Sequence, residues 1–149
     1  MKFSSQEEYG LRCLLRIARD GSEKGLTIPE ISEAEGLTPA NAAKLLRIMR
    51  LGGLLESSRG QVGGYSLSRS ADKIYISEVL NVLGGRLYDN EFCNTHAGAS
   101  QICTNSIDCS IRSLWQTVQE AVDNVTKNLT LKDLISVPEN VVTKITTYN

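Results

Sequence analysis

The sequence is poor in the groups from which most active sites are built. One histidine in 149 residues, no nucleophile signature and no glycine-rich phosphate loop leave an enzyme without visible machinery. No apolar run is long enough to span a bilayer, so a membrane partner is not expected. The start, "MKFSSQEEYG", lacks the apolar core of a secretory signal, and a cytoplasmic protein is the expectation. Paired CxxC, the strongest sequence sign of zinc, is absent. An excess of positive charge is missing too. The chain holds 16 Lys+Arg against 17 Asp+Glu, a net of −1, which argues against a uniformly basic nucleic-acid binder. No internal repeat is present.

What the chain does have is a core and an uneven charge. Apolar residues make up 41%, enough to fold one domain or a small domain with an extension. Residues 1–73 carry a net charge of +2 and residues 74–149 a net of −3. The stretch 37–73 holds 6 basic and 2 acidic residues. Local sign matters more than the total, because phosphate attraction acts within about 8–10 Å in ordinary salt. A merely solvated face would show the same cluster.

Three helices open the chain. Ser4 and Glu7 have capping-box spacing, and Tyr9, Leu11, Leu14, Leu15, Ile17 and Ala18 recur at helical intervals. The pattern ends at "RDGSEKG". Thr27, Pro29 and Glu30 start a short second helix, and Gly36 stops it. Thr38-Pro39 starts a third, running to about Leu51 with Leu45, Leu46, Ile48 and Met49 as its inner face. Two short helices joined by a tight turn and braced by another form a helix-turn-helix. "LLESSR" and "YSLSRS" then alternate like strands around "GQVGG", a hairpin with a loose tip; Tyr65 packs at its base. Helix-turn-helix followed by hairpin is the winged-helix arrangement.

That arrangement implies a way of reading double-stranded DNA. The third helix would enter the major groove with Thr38, Pro39, Ala40, Asn41 and, one turn on, Lys44. Asn41 suits adenine, and Ala40 a thymine methyl. Lys44, Arg47 and Arg50 would meet or flank phosphate; for Arg50 a solvated helix end serves as well. Arg59 would enter the narrow minor groove, where the potential is most negative, with Gly60 and Gln61 at the tip. Gly60, Gly63 and Gly64 would let the backbone approach the sugar–phosphate wall.

Ser77 is expected to cap the helix "EVLNVLGG". Residues 86–109 then lack regular pattern and read as a loop. Ile111, Leu114, Trp115, Val118, Ala121, Val122, Val125 and Leu129 fit one helix of about five turns. A small helix "LKDLI" follows, capped by Thr130. A long amphipathic helix outside a compact head needs a partner for its apolar face, and a homodimer supplies one. Its two-fold symmetry would match a palindromic operator. The expected fold is mainly α: a winged helix-turn-helix with a small β-hairpin wing and a long C-terminal dimerisation helix. The division is a DNA-binding head over 1–84, a cysteine-bearing loop over 85–110, the dimerisation and following helices over 111–136, and a flexible tail over 137–149.

The four cysteines are Cys13, Cys93, Cys103 and Cys109. Cys13 lies on an apolar helical face and is a small hydrophobe. The other three share the irregular loop. Three soft thiols suggest a metal or cluster site, a thiol redox switch, or inert residues.

The wing segment "SRGQVGGYSL" resembles that of the bacterial winged-helix regulators that include IscR, the iron–sulfur regulator, and NsrR, the nitric-oxide sensor. "ISEAEGLTPANAAKLLRIMRLGGLLESSRG" is similar to their helix pair, and "LWQTVQEAVDNVTKNLTLKDLI" to their dimer helix and the short segment after it. The resemblance implies a dimeric transcription regulator controlled by an iron–sulfur cluster, 2Fe-2S or 4Fe-4S, that senses redox state, nitric oxide or iron–sulfur status. It places Cys93, Cys103 and Cys109 as ligands. The Cys93–Cys103 interval is a few residues longer than in the best-known members. IscR-like members place a histidine three residues after the third cysteine, where this chain has Arg112. The fourth ligand is then Glu8 of the partner subunit, as in NsrR-like members, with His96 as rival and an exogenous small ligand third. The alternative is a regulator of the same fold gated by thiol oxidation, a partner protein or a small ligand.

Overall fold

The computed structural model describes residues 3–60, 63–89, 91–99, 103 and 109–136. Helix α1 spans Ser5–Asp20 and begins in the expected capping box. The Ser4 hydroxyl accepts the Glu7 N–H, and the Glu7 carboxylate accepts the Ser4 N–H at 2.7 Å. Gly21, in the left-handed region at φ +61°, ends the helix and donates to the Ile17 carbonyl. Helix α2, Ile28–Glu35, starts in a second box between Thr27 and Glu30 and stops at left-handed Gly36. Helix α3, Pro39–Leu51, is capped by Thr38, whose hydroxyl accepts the Asn41 N–H at 3.3 Å.

The α2–α3 turn is held by a pair of bonds that the sequence pattern did not reveal. The Leu37 N–H donates to the Ser32 carbonyl at 2.9 Å, and the buried Ser32 hydroxyl donates to the Leu37 carbonyl at 2.6 Å. A second device locks the brace. Glu35 has a side chain only 8% exposed and is held by Arg12 at 3.0 Å and Arg16 at 2.7 Å, both on α1. Burial alone would raise the Glu35 carboxyl, but hydrogen bonds and charge from Arg16 and Arg12 hold it below its ordinary range. Helix α2 is thereby fixed against α1 by charge, and Leu14, Ile31, Leu45, Leu46 and Met49, all buried, pack the three helices into one core.

Strands β1, Leu55–Ser57, and β2, Tyr65–Leu67, pair antiparallel with Leu55 opposite Leu67 and Ser57 opposite Tyr65. They are shorter than the alternation suggested, and Leu54 and Leu55 are both buried. Tyr65 sits at the hairpin base as expected, and its backbone exchanges both hydrogen bonds with Leu26 at 2.7 and 3.0 Å. The wing therefore gains a one-residue third strand from the α1–α2 loop. Close approach there requires glycine. A Cβ on Gly25 would stand 2.4 Å from the Tyr65 carbonyl oxygen, and one on Gly64 would stand 3.0 Å from the Leu26 backbone.

A 3₁₀ turn, Ala71–Lys73, leads to α4, Ile76–Leu83. This helix starts one residue before the expected Ser77 cap, after Tyr75, which makes no side-chain cap bond. Tertiary pairing sets the boundary instead: the Ile76 N–H donates to the Leu129 carbonyl at 2.9 Å, and the Leu131 N–H to the Ile74 carbonyl at 2.8 Å. The expected loop over 86–109 contains a single-turn helix α5, Phe92–Thr95. Helix α6, Ser110–Thr126, ends three residues before Leu129, whose side chain is buried and whose carbonyl accepts the Ile76 N–H beside the Tyr75–Thr130 bridge. Helix α7, Leu131–Ile135, begins in a Thr130–Asp133 capping box and packs on α1. The fold is mainly helical with one small hairpin, a winged helix-turn-helix followed by a long C-terminal helix. No helix among the described residues is long and apolar enough to cross a membrane. The tail after residue 136, like Gln61 at the wing tip, lies outside the described residues.

Candidate nucleic-acid interface and cysteine loop

Helix α3 has one buried and one bare side. Ala42, Leu45, Leu46 and Met49 are buried, whereas Thr38, Pro39, Ala40, Lys44, Arg47 and Arg50 are exposed and Asn41 is half-buried. The ion pairs among the described residues use Arg12, Arg16, Arg69 and Arg86. Lys44, Arg47 and Arg59 thus have no acidic partner among the described residues, and their charge stays available to an external anion. Arg59 and Gly60 are exposed at the shoulder of the wing, with Gly60 at φ +130°. Gly63 and Gly64 have a nearer reason for being glycine than a sugar–phosphate wall. The Gly64 N–H donates to the Ser58 hydroxyl at 2.9 Å, and a Cβ on Gly63 would meet the Ser58 carbonyl at 2.3 Å. These two residues close the hairpin.

Arg69 joins the reading head to the rest of the chain. Its guanidinium donates to the Gly53 carbonyl at the end of α3, to the Ser68 hydroxyl, to the Lys73 carbonyl and to Glu78 on α4. Helix α4 in turn contacts α6.

The cysteines separate into one core thiol and three loop thiols. Cys13 is fully buried, and burial pushes its thiol up to about 11. Cys93 sits on α5, Cys109 is the N-cap of α6, and Cys103 stands between; all three are half-buried. The Cys109 sulfur accepts the Arg112 N–H at 3.3 Å. Cys93 and Cys109 are both within electrostatic reach of the Arg112 guanidinium and the Tyr88 hydroxyl. Partial burial first, then the bond to Cys93, pushes the Tyr88 phenol above its ordinary value. Tyr88 is fixed from behind, its N–H donating to Gln119 of α6 at 3.0 Å and its ring tilted on Phe92.

Glu8 is exposed in the first turn of α1. His96 is the C-cap of α5, its ring stacked on Phe92 at 4.1 Å, with Nδ1 2.8 Å from the Phe92 carbonyl oxygen. Among the described residues no three donors of His, Cys, Asp or Glu already stand together around one point. Cys93 and Cys109 thus both bear on Arg112 and Tyr88, and Glu8, expected from the partner subunit, stands exposed on α1. Neither periodicity nor a motif marks Arg112 and Tyr88 as neighbours of the thiols; only the position of Arg112, three residues after Cys109, points there.

Helix α6 is nearly bare within one chain. Gln119 is its one buried residue, and Ile111, Leu114, Trp115 and Val125 leave 55, 53, 37 and 40% of their surface exposed. A groove of about 600 Å³ runs beside it, lined by Leu80, Leu87, Val122 and Val125 among others.

Comparison with known proteins agrees with this architecture. A family model described as Rrf2, iron-dependent transcriptional regulator, matches residues 3–137. The Rrf2 protein of Nitratidesulfovibrio vulgaris is 30% identical over 135 residues, covering 91% of this chain and 87% of that one. The regulator IscR of Xenorhabdus nematophila is 26% identical over 135 residues, covering 91% and 79%. Among solved structures, CymR, the global cysteine regulator of B. subtilis, superposes with a TM-score of 0.72 at 27% identity, covering 91% of this chain and 96% of that one. IscR of T. potens gives 0.69 at 26% identity, covering 91% and 86%. A winged head, a third helix with an exposed basic side and a match over nearly the whole length lead to one conclusion: the chain belongs to the Rrf2 family of DNA-binding transcriptional regulators and is not an enzyme.

Proposed function

We propose that the chain acts as a homodimer on a palindromic operator, in the cytoplasm, under the control of an iron–sulfur cluster held by Cys93, Cys103 and Cys109. The observation that carries this reading is the double role of Cys109. The same sulfur is a candidate ligand and the N-cap of α6, the helix whose apolar face would join the two subunits. A change at that sulfur acts on the end of the helix that sets the spacing of the two heads. The donor set fits the group: thiolates are soft ligands suited to iron–sulfur chemistry, and two of the three already flank Arg112. Holding a cluster requires Cys103 to be drawn to them. The fourth position falls to Glu8 of the other subunit, with His96 second. When bound, the cluster supplies a one-electron centre and an iron site open to small oxidants.

At the operator, Asn41 and Ala40 read base edges, Lys44 and Arg47 neutralise phosphates, and Arg59, Gly60 and Gln61 meet the minor groove. The names of the relatives support the reading, since the family model is described as iron-dependent and IscR recurs among the matches. Replacing Cys103 with Ala should abolish visible cluster absorption and the signal-dependent change in DNA binding; retention of both would remove the loop as sensor. A second reading, a cluster-free regulator gated by thiol oxidation, draws on the CymR structures, one of which is an oxidised form. Iron and sulfide analysis of anaerobically purified protein separates the two.

A further inference from the structure

The turn between α3 and β1 carries the angle between the two surfaces that would meet DNA. Gly52 ends α3, Gly53 follows at φ +76°, and β1 begins at Leu55. Paired glycines would leave such a turn loose in isolation, because glycine has the most backbone freedom to lose. Here the turn is gripped from the other end of the wing. The Ser68 N–H donates to the Leu54 carbonyl at 3.1 Å, and the Ser68 hydroxyl donates to the Gly53 carbonyl at 2.6 Å. Arg69 Nη1 donates to the same Gly53 carbonyl at 3.1 Å and to the Ser68 hydroxyl at 3.3 Å. Its Nε donates to the Lys73 carbonyl at 3.1 Å, and its Nη2 to the Glu78 carboxylate. One planar side chain, just past β2, thus ties the entrance of the wing, its exit and α4. Helix α4 is seated for this task. Glu78 and Val82 are one turn apart and share a face. A Cβ on Gly52 would stand 2.4 Å from Val82 Cγ1, so the end of α3 lies directly on that face. The guanidinium is spent inward: four of its bonds go to protein acceptors, one of them a carboxylate, from five N–H groups. That leaves little of it for a phosphate.

We propose that Arg69 is a positioning residue for DNA recognition. It touches no DNA; it locks the wing at a fixed angle to α3, so that Arg59 reaches the minor groove while α3 lies in the major groove. This rests on the reading of α3 and the wing as the DNA-contacting surfaces, and extends it to a half-buried residue that meets neither groove. The physical ground is preorganisation. A wing already held in place loses little freedom when it meets the duplex, whereas one free to swing about Gly52 and Gly53 loses more and binds more weakly.

The test is a double-mutant cycle on the full chain. Wild type, Arg59→Ala, Arg69→Gln and the double variant are titrated at one salt concentration onto a fluorescent duplex that wild type selects from a randomised palindromic pool. Urea melts of each report the fold. Arg69→Gln should remain folded and bind about tenfold more weakly, and Arg59→Ala should cost about tenfold in wild type but less than about threefold when residue 69 is already changed. A wing that has lost its seat has little left to lose. Arg69→Lys keeps the charge beside Glu78, loses the fork and should lie between. An equal cost of Arg59→Ala in both backgrounds would overturn the inference, since the two residues would then act independently. Wild-type affinity in Arg69→Gln would overturn it as well. If Arg69→Gln does not fold, the cycle is read in Arg69→Lys; if neither folds, Arg69 is a structural residue and the inference falls. Failure of wild type to select any duplex, or an Arg59→Ala that binds like wild type, would overturn the reading of the wing as a DNA contact, and the inference with it.

Discussion

Replacing Leu114 with Ala should weaken self-association without loosening the fold. Leu114 lies on α6 with 53% of its surface exposed, in line with Ile111 and Trp115. Full burial of a leucine side chain is worth about 2 kcal/mol, so the half still exposed is worth roughly 1 kcal/mol when covered. In a two-fold interface the residue counts twice, giving a loss of about 2 kcal/mol, or ~30-fold in the dimer dissociation constant. Within one chain the side chain is not part of the core cluster, so the melting temperature of the isolated subunit should change little. Leu51, 68% exposed at the far end of α3, supplies the control: Leu51→Ala has the same chemistry away from α6 and should leave the constant unchanged. Sedimentation equilibrium over a dilution series reads both. A constant within threefold of wild type for Leu114→Ala, or an equal loss for Leu51→Ala, would refute the assignment of α6 as the seam.

Three further outcomes follow from the geometry. Glu35→Gln should destabilise the head by about 1–2 kcal/mol, less than for a fully buried pair because Arg12 and Arg16 remain partly exposed. Because the folded carboxyl titrates below its ordinary value, the stabilisation is full above that value of 4.5 and is lost as pH falls below it through the lower folded value; the gap between wild type and Glu35→Gln in urea melts should close on acidification, and a pH-independent gap would contradict this. Gly25→Ala should cost about 2–3 kcal/mol, from a left-handed φ of +70° and a Cβ driven onto the Tyr65 carbonyl; a change below about 0.5 kcal/mol in chemical denaturation would show the wing is not anchored there. Arg47→Ala should lower the slope of log affinity against log salt by about 0.9 on any duplex, and an unchanged slope would take Arg47 off the phosphates.

The head was legible in the sequence because its signals are local. Ser4–Glu7, Thr27–Glu30 and Thr38-Pro39 each satisfy orphan N–H groups within one turn, and Gly21 and Gly36 end helices where a left-handed residue is needed. What escaped the reading depends on partners far along the chain. The start of α4 is set by Leu129 and Leu131 rather than by Ser77. Glu35 is held by residues 19 and 23 positions away. Gly64 has no room for a Cβ because the backbone of Leu26, far back in the chain, lies 3.0 Å from where it would stand. In the cysteine loop the turn of helix at Phe92–Thr95 is too short to leave a periodic trace. Spacing marked Cys93, Cys103 and Cys109 as a group, but only the fold sets Arg112 and Tyr88 within electrostatic reach of Cys93 and Cys109.

The central claim is that the state of the loop thiols governs DNA binding. The most direct measurement is the affinity of one preparation for one palindromic duplex at fixed salt, before and after its iron is removed anaerobically with a chelator and the thiols are kept reduced. The account predicts a change of at least about tenfold between the two forms, within the usual range of coupling between sites. Equal affinity in both forms, with iron present in the first and absent from the second, would contradict it.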